Sequence, residues 1–209
     1  MVISLRKFVL PGPAGQLEGV AHVPGAEPRA LAVVAHPLPT LGGNMDNKVA
    51  TTLAKTLAEL GCVALRFNFR GVGGSEGTYT GGDGEQQDML AVADYAREHF
   101  GAELPLVLAG FSFGGYVAAR AAQIVQPQHL VLAAPAVGRF AMPHVPPHTL
   151  VVHGEQDDVV PLAQVMDWAR PQHLPIVVLP AAGHFFHGRL TQLRDIVRRH
   201  FNGIAGWMR

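Results

Sequence analysis

Gly110-Phe111-Ser112-Phe113-Gly114 sets one serine between two glycines where an apolar run, Leu104-Pro105-Leu106-Val107-Leu108-Ala109, gives way to an alanine-rich stretch over 116–125. The run reads as a buried strand and the stretch as a helix. A chain passing directly from one to the other turns sharply at the serine, whose backbone is forced into a strained conformation. Side chains two residues to either side would collide, so glycine is required at 110 and 114. The turn lifts the hydroxyl above the sheet and directs the free N–H groups of the following helix at whatever the serine attacks. Gly-x-Ser-x-Gly also arises by chance, and this chain has 24 glycines. The strand–turn–helix setting is what separates a nucleophile from a coincidence.

Outward from that turn the pattern is strand and helix in alternation. Strands are predicted at 3–10 and 17–23, joined by Pro11-Gly12-Pro13-Ala14-Gly15 as an antiparallel edge, then at 31–35, 62–67, 129–134, 149–153 and 176–179. Helices are predicted over 44–60, where Val49, Leu53, Leu57 and Leu60 share a stripe stopped by Gly61, and from Asp83 to about 99, with Gln86 as the capping-box partner. Two more are predicted at 162–169 and 190–201, the last with Leu190, Leu193, Ile196, Val197 and Phe201 on its apolar face. This alternation predicts an α/β fold of about eight strands, a mostly parallel sheet with helices on both faces, in a single domain over 1–209. Function in such sheets collects beyond the carboxyl ends of the strands. Ser112, the run Glu155-Gln156-Asp157-Asp158, Gly183-His184 and His36-Pro37-Leu38-Pro39 all fall there. The glycine-rich segment 71–84 is long enough to move.

Composition narrows the partners. The 209 residues and 48% hydrophobic content suffice for one sizeable core. Sixteen acidic and sixteen basic residues give no electrostatic invitation to nucleic acid or to an anionic membrane, and favour small neutral ligands. The start Met1-Val2-Ile3-Ser4-Leu5-Arg6-Lys7 lacks the order of a secretory signal, so a cytoplasmic location is expected. The single cysteine, Cys62, opens an apolar strand and is expected in the core. The apolar tail after Phe201 would pack on the body or join a homodimer.

A serine hydroxyl needs a base to take its proton as the bond to substrate forms, and histidine is suited to that exchange. Of eleven histidines, His184 follows Ala181-Ala182-Gly183 just after the last predicted strand, in a loop rather than on a helix face; His187 is the alternative. The base needs a carboxylate to hold its tautomer, and Asp157 is the candidate, with Asp158 the alternative and helix capping the competing role for either.

These pieces together resemble an α/β-hydrolase: Gly110-Phe111-Ser112-Phe113-Gly114-Gly115, His153-Gly154-x-x-Asp157-x-x-Val160-Pro161, Gly183-His184, and Arg70-Gly71-x-Gly73-x-Ser75-x-Gly77. Within that superfamily the chain is similar to small, single-domain bacterial esterase-like members. The resemblance implies a triad of Ser112, Asp157 and His184, and an oxyanion hole of two backbone N–H groups, one from Phe113 and one from the loop after the third strand. Many relatives have His-Gly there, whereas this chain has His36-Pro37, and because Pro37 and Pro39 have no N–H, Leu38 is the donor between them. Many relatives also carry a helical cap between the sixth strand and the acid-bearing one, but residues 135–148 are too few for it. Phe140 and Met142 in that segment, with Tyr79 from the glycine-rich loop, are the expected substrate-binding side chains. The implied reaction is hydrolysis of small or accessible carboxylic esters through an acyl-enzyme, with thioesters, amides and acyl transfer as alternatives on the same triad, and no cofactor or metal.

Three other classes compete. A nucleotide-binding reading of Gly71-Val72-Gly73-Gly74-Ser75-Glu76-Gly77 fails because Gly-x-Gly-x-x-Gly requires glycine at 76. A metal hydrolase built on His153, Asp157, His184 and His187 matches no helical zinc-site spacing. A non-catalytic binding protein on the same fold leaves three filled triad positions unexplained.

Overall fold

The computed structural model describes residues 2–204. Its eight strands are β1 (Ile3–Gly12), β2 (Gly15–Pro24), β3 (Ala30–Ala35), β4 (Cys62–Phe67), β5 (Leu106–Phe111), β6 (His129–Ala133), β7 (Leu150–Gly154) and β8 (Ile176–Leu179). They form one sheet in the order β1-β2-β4-β3-β5-β6-β7-β8, antiparallel from β1 to β4 and parallel from there on. The helices are α1 (Lys48–Glu59), α2 (Asp83–Phe100), α3 (Phe113–Val125), α4 (Leu162–Ala169) and α5 (Leu190–Asn202).

Right-handed crossovers decide which helix lies on which face. The chain runs from β3 to β4 in one direction along the sheet, and from β4 through β5 to β8 in the other. Accordingly α1 lies on one face and α2, α3 and α4 on the opposite one, while α5 returns after β8 to lie beside α1. Strand β3 shows why both faces are apolar. Leu31, Val33 and Ala35 enter the core with Met89, Val92 and Val117, whereas Ala30, Ala32 and Val34 meet Leu53, Leu57, Leu193 and Val197. All six β3 residues are buried, so the strand reads as a continuous apolar run. Cys62 is buried, as expected, and burial pushes its thiol pKa up. No described helix is long and apolar enough to cross a membrane.

Some boundaries and capping partners differ from those expected. Helix α1 begins at Lys48 rather than 44 because Asn47 is the cap, its Oδ1 accepting from Val49 and Ala50 N–H, while Asn44 serves its own turn by accepting from Asp46 N–H. At the start of α2 the partner is Glu85, not Gln86; its carboxylate accepts from Gly82 N–H at 2.7 Å and Thr80 N–H at 2.9 Å. Strand β5 starts at Leu106, and helix α3 begins directly after Ser112. The last helix starts at Leu190, so His187 lies before it. Residues 205–209 of the apolar tail lie outside the described residues, and Ile204 packs on the α1/α5 side of the core.

The glycine-rich loop is pinned rather than free. Glu18 Oε1 accepts from Asn68 Nδ2 at 2.6 Å and from Gly74 N–H at 2.7 Å, and Ser75 Oγ donates to Asn68 O at 2.7 Å. A glutamate thus already occupies one of the loop's N–H groups. Beneath the loop, Arg70 and Asp88 form a buried ion pair, Nη2 to Oδ1 at 2.7 Å and Nε to Oδ2 at 3.0 Å, with Arg70 N–H also donating to Oδ2. Gly84 lets the guanidinium pass, since a Cβ there would stand 2.0 Å from Nη1. The pair joins the end of β4 to α2. Removing one partner of a buried pair leaves an uncompensated charge, so Asp88→Ala should lower unfolding stability by about 3–5 kcal/mol. Denaturant unfolding of Asp88→Ala and of the double variant Arg70→Met/Asp88→Leu tests this; equal losses in both would refute the ion-pair account.

Candidate active site

Ser112 sits at φ 54°, ψ −117°, in the left-handed region that L residues seldom adopt. Hydrogen bonds hold it there: Ser112 N–H donates to Ala133 O at 3.0 Å, and its carbonyl accepts from Gly115, Tyr116 and Ala136 N–H. The flanking glycines are sterically required. A Cβ on Gly110 would lie 2.1 Å from Gly114 O, and one on Gly114 would lie 2.3 Å from Ala35 O.

Two further loops meet the serine beyond the strand ends. His184 Nε2 is 3.0 Å from Ser112 Oγ, and His184 Nδ1 is 2.8 Å from Asp157 Oδ2. A carboxylate only accepts, so Nδ1 carries the proton and Nε2 is left to accept from the serine hydroxyl. The loops are locked flush: Gln156 N–H donates to Ala182 O at 2.9 Å, and a side chain on Gly154 would stand 2.3 Å from that same oxygen. Phe186, fully buried against Phe111, anchors the loop just past His184.

Asp157 is held from every side. Oδ1 accepts from Val159 N–H at 3.0 Å and Val160 N–H at 2.7 Å, and Oδ2 faces His153 Nε2 at 3.4 Å as well as His184. Burial pushes its pKa up, but the His184 hydrogen bond, the Val160 N–H and the nearby imidazoles outweigh it and hold the carboxyl below its ordinary value. His153 is fully buried and donates from Nε2 to Val160 O at 2.8 Å. Its pKa is lowered, burial outweighing the Val160 carbonyl and the Asp157 charge. The alternatives fall away by position: Asp158 is exposed, and His187 is exposed and stacks on Phe185 at 5.7 Å. No cluster of three or more His, Cys, Asp or Glu among the described residues is arranged to hold a metal ion.

The hydroxyl opens on a cavity of about 160 Å³. It is lined by Leu38 and Phe113, the two expected N–H donors, and by Phe140; Tyr79 and Met142, also expected, are not part of the lining. Tyr79 packs instead on the Phe113 ring at 5.7 Å and Met142 against the α2/α3 side of the core, so both support the wall from behind. Arg139, Val159, Val160 and Phe185 are also among the lining residues and were not expected there from sequence. Val160 carried a signal, since it belongs to the His153-to-Pro161 motif. The other three are loop residues whose direction depends on tertiary packing.

The loop bearing Leu38 is braced by His36, and the departure from the His-Gly pattern is confined to the next residue, Pro37. The imidazole Nδ1–H donates to Pro37 O at 2.7 Å and Nε2 accepts from Phe69 N–H at 3.1 Å. Leu38 O accepts from Leu41 and Gly43 N–H, while Leu38 N–H has no partner among the described residues and remains available. Burial lowers the His36 pKa to about 4.

A family model for serine aminopeptidase, S33 (Hydrolase_4), matches residues 26–165. The chain is similar to XC6422 of Xanthomonas campestris, a serine hydrolase described as lacking a lid, with 40% identity over 97% of this chain and 95% of that one and a TM-score of 0.91. An α/β serine hydrolase homologue from Coxiella burnetii is 41% identical over 95% and 98% of the two chains, with a TM-score of 0.85. The uncharacterized protein RP471 of Rickettsia prowazekii is 31% identical, covering 89% of this chain and 84% of its own.

His36 provides a pH-dependent test of the loop. Folded, it titrates at about 4; unfolded, near 6.5. Between those values the unfolded chain binds the extra proton, so the His36 contribution is complete above pH 6.5 and is lost as pH falls toward 4. The difference, 6.5 − 4, corresponds to about 3 kcal/mol. In thermal melts, wild type should therefore lose its advantage over His36→Asn progressively as pH falls from 6.5 to about 4; a gap independent of pH would contradict the account.

Proposed function

The chain belongs to the serine aminopeptidase S33 family of α/β hydrolases, and we propose that it is a lidless serine hydrolase acting on carboxylic esters with small or accessible acyl groups. The observation that carries this reading is the continuous hydrogen-bonded line from Ser112 Oγ through His184 to Asp157 at 3.0 and 2.8 Å. In the proposed reaction Ser112 Oγ attacks the ester carbonyl carbon as its proton passes to His184 Nε2. The carbonyl oxygen, now bearing the negative charge, is received by Phe113 and Leu38 N–H. Collapse of the tetrahedral adduct breaks the bond to the alcohol, which leaves with the proton from His184. Water, deprotonated by the same imidazole, then releases the acid and restores the serine.

Two features favour esters over an N-terminal peptide. An aminopeptidase holds the substrate's α-ammonium, which calls for a carboxylate, and no Asp or Glu is among the residues lining the cavity. The connection between β6 and β7, residues 134–149, contains no helix and leaves the cavity uncovered. A small cavity without a cover accommodates short acyl groups.

A fluorophosphonate probe should label wild type and not Ser112→Ala. Asp157→Asn, which loses the proper imidazole tautomer, should lower kcat by roughly 10³–10⁴. Acetate or butyrate 4-nitrophenyl esters should be cleaved faster than long-chain ones. An unlabelled wild-type protein would overturn the hydrolase reading, and faster cleavage of the long-chain esters would overturn the acyl preference alone.

A further inference from the structure

Equal totals of acidic and basic residues favour neutral ligands for the molecule as a whole, yet the Ser112 cavity is locally cationic. Arg139 lines it, no carboxylate does, and the Asp157 charge lies buried behind His184. Arg139 is exposed and makes no hydrogen bond or ion pair among the described residues. The Tyr79 phenol, which feels the Arg139 charge, does not neutralise it. Burial and the Glu85 charge raise the Tyr79 pKa against the opposing pull of Arg139, so the phenol stays protonated. Glu85 itself is fully buried and occupied by Thr80 and Gly82.

The position of Arg139 is set by the serine turn itself. Ala136 N–H donates to Ser112 O at 3.2 Å, and Phe140 N–H returns to Ala136 O at 3.2 Å, closing a tight turn around Arg139. Gly138 adopts φ +78° within it, and any side chain there would meet Gln164 Oε1 at 2.2 Å. The Phe140 ring, stacked on Tyr116 at 4.8 Å and packed on Phe113 at 5.2 Å, holds the far side. The backbone that carries Arg139 is therefore held in a turn at the edge of the cavity, and the side chain extends from there. Around the same opening stand Leu41, Val159 and Phe185, exposed to 71%, 43% and 45%, an apolar rim of the kind that marks a binding surface.

We propose that Arg139 is a specificity residue that selects esters carrying one anionic group, a carboxylate or phosphate, on an apolar body. Leu41, Phe140, Val159 and Phe185 take the apolar part, and the guanidinium pairs with the anion as a two-pronged donor. The proposal deepens the ester reading and rests on Ser112 being the nucleophile.

Two substrate pairs test it, each matched in length. Mono-4-nitrophenyl adipate against 4-nitrophenyl hexanoate places the charge on the acyl side; 4-carboxyphenyl butyrate against 4-methylphenyl butyrate places it on the leaving group. The readout is the ratio of kcat/KM, anionic over neutral, which does not depend on the fraction of correctly folded enzyme. In at least one pair this ratio should fall about ten-fold from wild type to Arg139→Gln, with Arg139→Lys between them, since lysine keeps the charge but not the planar fork. Unchanged ratios in both pairs would overturn the proposal. Titration of Ser112→Ala with the same esters, with and without Arg139→Gln, reads the preference as Kd without turnover. A roughly ten-fold preference lost with Arg139 supports the anion site even where hydrolysis fails, and equal affinities overturn it.

Discussion

A backbone held at φ 54° on a serine is the constraint on which the rest of this molecule depends. Such a conformation costs about 1–3 kcal/mol and persists only where its surroundings over-determine it. Here they do so through β6, whose Ala133 carbonyl takes the Ser112 N–H, through the turn at Ala136, and through the first turn of α3. Each of these partners belongs to a different element. The strain is thus distributed over the centre of the sheet, and Gly110 and Gly114 are the two places where the distribution leaves no room for a Cβ. The same turn that presents Oγ also leaves Phe113 N–H without a helical partner, so the proposed nucleophile and the proposed oxyanion donor come from one geometric cause.

The parallel sheet supplies the remaining parts by the same logic. Because β3, β5, β6, β7 and β8 run in one direction, the loops after them emerge together, and His36, Ser112, Ala136, Asp157 and His184 meet although 148 positions separate the first from the last. Contact between the loops is then a matter of backbone clearance. Gly154 against Ala182, and Gly43 against Pro37, let two backbones approach where any side chain would hold them apart. His153 shows how far the fitting extends: its Nε2–H reaches Val160 O while Val160 N–H reaches Asp157, so one residue closes the acid loop in both directions.

That closed loop explains why the fold and the meeting of Ser112, Asp157 and His184 could be read from the sequence while the cavity wall could not. His153, Gly154, Asp157, Val160 and Pro161 lie within nine positions, and their contacts are local, so spacing alone carries the geometry. Strands β4 and β8 matched their expected limits for a related reason: apolar runs bounded by turn residues have few alternatives. The start of α1 and the capping partner of α2 differed where side chains of similar capping ability lie close together, Asn44 and Asn47 in the one and Glu85 and Gln86 in the other, because only the path of the incoming chain chooses between them. Tyr79 and Met142 were expected at the wall on aromatic or apolar character and loop membership. Both criteria fit equally well a residue packed behind Phe113, and the structure places them there.

Arg139 reveals the converse limit, where a property averaged over the chain conceals a local one. Net charge sums 32 ionisable acids and bases, most of them spread over the surface, and screening reduces a distant charge to little within about 8–10 Å. What a substrate meets at Ser112 is governed by the few groups inside that radius. There the Asp157 charge is already engaged by His184 and by the Val159 and Val160 N–H groups, while the guanidinium of Arg139 has no such partner among the described residues. On this proposal a neutral protein presents a positive site, and the asymmetry arises from the proposed catalytic arrangement itself: a carboxylate that orients the base must be buried and satisfied to do so, which removes it from the field a substrate would feel.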